Sequence, residues 1–170
     1  MKIWLISDTH FEHENITEFC GRPDNHEELM IQALYKIPAE DCLIHLGDIC
    51  LGANEFINAQ VIGDLKCRKM LVMGNHDEKS WSWYMEHGWD FVCNNFYLEY
   101  GGRKILFSHK PQPWDGNWDL NIHGHLHNLG FLGAQSKTQV EGLKHWHRLY
   151  SPELQDYKPV ELMQFIQGEQ

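Results

Sequence analysis

A chain of 170 residues is long enough to bury one full core, and 42% apolar with 22% charged residues is an ordinary globular composition, which excludes a disordered, collagenous or coiled-coil chain. Against 14 lysines and arginines stand 24 acidic residues and 12 histidines, for a formal charge of −10. That balance argues against a free basic surface for nucleic acid and makes metal ions the natural partners to look for.

No stretch approaches the roughly 20 apolar residues that span a bilayer. The first apolar run, Ile3-Trp4-Leu5-Ile6, is broken at Asp8 and His10, too soon for a signal peptide. It reads as a strand that ends in Ser7-Asp8-Thr9-His10. Asn25 with Glu28 three residues on resembles a capping box, and Leu29, Ala33 and Ile37 follow at helical spacing, with Met30 and Leu34 beside them, until Pro38. A second run, Cys42-Leu43-Ile44-His45-Leu46, ends at Gly47-Asp48. Residues from about 54 to 63 read as helix with Phe56, Ala59, Val61 and Ile62 on the apolar side. A third run, Lys69 to Met73, ends at Gly74-Asn75-His76-Asp77, and a helix is expected from about 78 to 87. Residues 96–100 and 103–107, joined by Gly101-Gly102, read as a hairpin, since paired glycines permit the primed turns. The second arm of that hairpin is the fourth run and ends at Ser108-His109. The fifth, Leu120-Asn121-Ile122-His123, ends at Gly124-His125-Leu126-His127. Beyond it, Pro152 and Pro159 argue for loop and short strand. Short continuous apolar runs suit strands buried on both faces. The expected architecture is a mixed α/β layered fold, one domain over residues 1–170 with no insertion large enough for a cap. Five cysteines without a Cys-x-x-Cys pair read as reduced thiols in a cytoplasmic protein.

Each of the five runs delivers a metal-ligand type of residue at its carboxyl end, which is where open α/β folds bind ligands. The set is Asp8, His10, Asp48, Asn75, His109, His125 and His127. Seven oxygen and nitrogen donors exceed what one tetrahedral ion takes and suit two ions that share a carboxylate. Imidazole, carboxylate and amide oxygen together favour a transition ion over calcium, with manganese first and iron, zinc, nickel and cobalt as alternatives. Asp8 and His10, like His125 and His127, sit at i and i+2 and so share one face of an extended segment. Gly47 and Gly74 permit a sharp exit directly before Asp48 and Asn75.

Taken in order, Asp8-Thr9-His10, Gly47-Asp48, Gly74-Asn75-His76-Asp77, His109 and Gly124-His125-Leu126-His127 resemble the full signature of the calcineurin-like metallophosphoesterases. The start from Asp8 to Asn15 is similar to the small stand-alone bacterial and phage members. The resemblance implies a four-layer α/β/β/α sandwich and two divalent ions. Asp8, His10, Asp48 and His127 would hold one ion, and Asp48, Asn75, His109 and His125 the other, with Asp48 bridging. It also implies phosphoester hydrolysis. Two such ions clamp a phosphate and acidify a shared water, which attacks phosphorus in line. The resemblance places His76 over the leaving-group oxygen as a proton donor. Asp77 either orients and charges that imidazole or caps the following helix.

Other residues carry weaker readings. His13 either borders the site, as a substrate contact, or is unrelated to it. His123 is either a support behind the site or a plain strand residue, and His45 is read as a buried structural histidine. Arg22 is a candidate phosphate clamp, with a surface salt bridge as the alternative. Trp81, Trp83, Trp114 and Trp118 are read as covering the core or each other, the alternative being an aromatic wall for a nucleobase or aryl group. The expected substrate is a small or nucleotide-type phosphodiester, with a phosphomonoester or a non-enzymatic scaffold as alternatives. Long duplex nucleic acid is not expected, because the net charge repels a polyanion.

Overall fold

The computed structural model describes residues 1–51, 54–127 and 142–168. All five apolar runs form strands, and they divide between two sheets. In the first, β1 (Ile3–Ile6), β2 (Cys42–His45) and β3 (Arg68–Val72) run parallel. The parallel β4 (Phe91–Cys93) extends it beyond β3, and the antiparallel β9 (Val160–Glu161) beyond β1. The second sheet holds β5 (Asn95–Tyr100), β6 (Arg103–Ser108), β7 (Leu120–His123) and β8 (His147–Leu149) in that order. Its first pair is antiparallel and the other two pairs are parallel.

Burial follows the sequence pattern. Every residue of β2 and β7 is buried, whereas the edge strand β5 alternates between exposed and half-buried. The β5–β6 hairpin turns through Gly101 and Gly102 with φ of 61° and 76°, the left-handed pair a type I′ turn requires. Helices α1 (Ile16–Cys20), α2 (His26–Leu34), α3 (Trp81–Glu86) and α4 (Leu162–Gln167) flank the sheets, with α3 against β4 and α4 against β1. One apolar cluster joins Leu5, Leu43 and Leu71 of the first sheet to Ile105, Phe107 and Ile122 of the second. The expected layered sandwich is therefore present as two sheets flanked by helices around a shared core. No helix among the described residues is long and apolar enough to cross a membrane.

Four local expectations are corrected. The capping box does not form: Asn25 makes no side-chain cap bond, and Glu28 instead accepts from Gln32 on the next turn. The buried stripe of α2 is His26, Met30 and Leu34, one position on from Leu29, which is 38% exposed. Residues 57–62 wind as a π-helical segment, with Gly63 N–H donating to Asn58 O at 2.8 Å. The wider turn buries Ile57, Asn58, Val61 and Ile62 and leaves Phe56 outside. Finally, α3 starts only at Trp81, capped by the Ser80 hydroxyl, and α4 forms in a stretch expected to hold only loop and short strand.

Candidate metal centre

At the carboxyl ends of the strands the backbone turns sharply and stays paired. Asp8 N–H donates to Gly47 O at 2.9 Å and His10 N–H to Asp48 O at 3.1 Å, so the loops after β1 and β2 leave as one unit. Gly47 sits at φ +97°, and a Cβ there would collide with the backbone of Gly74. The glycine thus lets the second and third loops touch. Asp8, His10, Asp48, His125 and His127 themselves hold positive φ, from 46° to 71°. Left-handed backbone is uncommon for such residues and costs on the order of 1–3 kcal/mol each, so its concentration here marks a place where side-chain direction outranks comfort.

These turns bring all seven candidate ligands together. Donor atoms of Asp8, His10 and His127 lie within 4.8 Å of one another, as do those of Asp48, His109 and His125. The groups meet at Asp48, whose Oδ2 lies 3.6 Å from His10 Nε2 and 3.2 Å from His109 Nε2. Asn75 Oδ1 and His125 Nδ1 both lie 3.1 Å from His109 Nε2. His10 decides whether the set fits metal. Its ring is buried, yet neither nitrogen has a hydrogen-bond partner among protein groups. A buried imidazole without partners is costly, and a cation among these carboxylates and imidazoles supplies what it lacks. His76 stands at the rim, its N–H donating to Asp48 Oδ1 at 2.9 Å and its ring edge-on to His10 at 5.3 Å.

The calcineurin-like phosphoesterase model matches residues 1–167. The chain belongs to that family. It is 33% identical to an uncharacterized protein of Methanocaldococcus jannaschii, with 95% of this chain and 87% of that one covered. A crystal structure of a protein of unknown function from Aquifex aeolicus superposes with a TM-score of 0.75 at 28% identity, covering 97% of each chain. A more distant likeness is to an archaeal phosphodiesterase, at a TM-score of 0.48 and 21% identity, covering 75% of this chain and 74% of that one.

In this family member the donors are aimed by their neighbours. His109 Nδ1 donates to Leu46 O at 2.8 Å, which turns Nε2 toward Asp48. His127 Nδ1 lies 3.3 Å from Glu153 Oε1, which leaves its Nε2 facing Asp8. A carboxylate behind an imidazole is the usual way such a ring is fixed as a ligand. Asp8 also accepts from the Ser7 hydroxyl and, at 3.0 Å, from His125 N–H. The electrostatics follow burial and charge. Desolvation depresses the imidazoles of His10 and His125, the latter to about 4. Desolvation pulls His109 and His127 the same way, but it is outweighed. Hydrogen bonding and charge from Asp48 and Asp8 push His109 up to about 9. Bonds to Cys20 and Glu153 push His127 up to about 10.

Two expectations for the phosphoesterase site change. Arg22, a candidate phosphate clamp, is turned toward the protein itself. Its side chain is buried, with Nε donating to Glu153 at 2.7 Å and the other two nitrogens to Thr9 O and Asp8 O at 2.8 and 2.7 Å. Each guanidinium nitrogen thus has a protein acceptor, two in the loop after β1 and one in Glu153. Asp77 neither contacts the His76 ring nor caps α3. It accepts from Asp48 N–H, Ile49 N–H and Gly74 N–H at 2.9, 3.2 and 2.7 Å, tying the loops after β2 and β3 together. Burial pushes its carboxyl up to about 6, against the pull of those bonds.

The His13 ring lies edge-on to His10 at 5.6 Å. His45 is buried between Gly47 N–H and the Thr9 hydroxyl, as a structural histidine should be. His123 is a buried strand residue that faces His147 at 5.8 Å. Trp118 is buried and Trp83 stacks on His87, as expected of tryptophans that cover structure, whereas Trp81 is 48% exposed and Trp114, though beside Trp146, 59% exposed. Glu153 is the residue that sequence reasoning missed. It lies in a weakly patterned stretch, and its partner Arg22 is 131 positions away.

Proposed function

We propose that this protein is a phosphodiesterase that uses two divalent ions on small or nucleotide-type phosphodiesters. The observation that carries the reading is the orphaned, buried His10 where two donor groups meet at Asp48. Asp8, His10, Asp48 and His127 are assigned to one ion. Asp48, Asn75, His109 and His125 are assigned to the other. Oxygen and imidazole donors in this mixture suit manganese, with iron, zinc, nickel and cobalt as competitors. Bound there, the ions supply Lewis acidity toward the phosphoryl oxygens and an acidified water.

The chain's own residues do the rest. Asp48 holds the two donor groups together and, through His76 N–H, fixes the rim. The His76 imidazole delivers a proton to the leaving-group oxygen as its bond to phosphorus breaks, a role worth about 10²–10⁴ in rate. Glu153 and Leu46 O keep the lone pairs of His127 and His109 directed inward. Cysteines that form no disulfide support a reducing compartment such as the cytoplasm.

The test is hydrolysis of bis-p-nitrophenyl phosphate and of p-nitrophenyl phosphate with added Mn²⁺. The expected result is faster turnover of the diester. Faster turnover of the monoester would make the protein a phosphomonoesterase, and no turnover with any transition ion would leave only a scaffold of the same fold. In the same assay His76→Ala should lower kcat by about 10²–10⁴ at unchanged metal content. An undiminished rate removes His76 from the chemistry.

A further inference from the structure

Beside His125 a groove of about 300 Å³ runs away from the metal centre, walled by Lys110, Pro111, Gln112, Pro113, Leu143 and His147. Its floor is rigid. Ser108 Oγ donates to Lys110 O at 2.7 Å, Gln112 N–H to Asn121 Oδ1 at 2.8 Å, and His147 Nε2 lies 2.8 Å from Gln112 O. The buried Asn121 in turn donates to Ser108 Oγ at 2.8 Å, so one amide pins both ends of the floor. Two prolines add fixed φ angles. The Ser108–Lys110 bond spans His109, and the groove ends on a second member of the donor cluster, His125.

We infer that this groove binds the flat ring of the organic arm of a nucleotide-type phosphoester, with Lys110 placing a positive charge beside the phosphate. The assignment rests on the phosphoesterase reading, because it presumes a phosphate at the donor cluster. Three observations carry it. The volume is at the lower end for small-ligand sites and fits one ring system rather than a polymer. The walls are mainly the carbon faces of Pro111, Pro113 and Leu143, which accept a ring face, while Gln112 and Lys110 supply a polar rim that an aliphatic chain has no use for. Lys110 also lines the same groove as His125, so in a chain of net charge −10 a cation is kept beside the crevice where an anion must enter.

The experiment is calorimetric titration of the Mn²⁺-loaded protein with adenosine 5′-monophosphate and with ribose 5-phosphate. The first should bind about tenfold tighter, the increment of stacking one base. Leu143→Asp and the exposed Pro113→Asp should each erase that preference and leave ribose 5-phosphate affinity within twofold. Lys110→Met should weaken both ligands by the same few-fold factor. Equal binding of the two ligands by the wild type, or a preference that survives both aspartate variants, overturns the ring site. Unchanged affinities in Lys110→Met overturn the role of Lys110. Binding is read without turnover. Failure of all diester hydrolysis therefore counts against the proposed activity, and a missing base preference counts against the groove.

Discussion

Asp8 and His127 are braced by the Arg22–Glu153 ion pair, whereas Asp48 and His109 are held by the Asp77 carboxylate and the Leu46 carbonyl of the neighbouring loops. On the first side, Arg22 grips the carbonyls of Asp8 and Thr9 and is itself held by Glu153, which also fixes His127. On the second, Leu46 O orients His109, and Asp77 holds the amides of Asp48 and Gly74. The first half thus depends on the C-terminal stretch folding against β1. The second draws its residues from the ends of β2, β3, β6 and β7. The two halves are also tied to each other, by Asp8 N–H on Gly47 O and by His125 N–H on Asp8, and one residue lies against both.

That residue is Asp48, and replacing it gives the largest effect. Asp48→Ala should lose both ions and reduce hydrolysis to background, measured by elemental analysis and by diester turnover; retention of one full equivalent would mean the halves do not share it. Asp77→Ala comes next. It strips three buried amides of their acceptor, each loss costing about 1–3 kcal/mol, and should show as a large drop in unfolding free energy by urea titration. Glu153→Gln should weaken one ion about 10–100-fold and leave the other alone, since the residue behind a ligand typically carries that much affinity. Calorimetric metal titration showing equal weakening of both would break the distinction.

The smallest effect is a pH dependence. His109 and His127 stand at about 9 and about 10 in the folded chain, against 6.5 unfolded. Their contribution is full below 6.5 and is lost as pH rises toward the folded values. Chelator-treated protein should therefore lose thermal stability between pH 7 and 9. Protein loaded with Mn²⁺, in which ions replace those protons, should hold its melting temperature, and parallel curves would contradict the assignment.

Much of this was legible because it is local. Each of the five strands is an apolar run cut off by polar residues, and Gly101-Gly102 announces the hairpin. The seven donors were visible because each follows a strand directly. What stayed hidden depends on distant contacts. The Arg22–Glu153 pair spans 131 positions, and nothing near either residue tells a buried brace from a surface charge. Asp77 stands close before α3 and so imitates a cap, while Ser80 takes that position. The stripe of α2 was misplaced by one residue because His26 counts as polar in sequence, yet is buried with its Nδ1 3.0 Å from Pro23 O.

The left-handed backbone of Asp8, His10, Asp48, His125 and His127 has a consequence for how the protein changes under selection. Glycine would relax each of those positions, so the same mutations that raise stability there remove donors. A lineage released from catalysis and kept only for folding should drift toward glycine and asparagine at these sites and gain melting temperature as it falls silent. At these positions backbone comfort and donor chemistry thus pull in opposite directions.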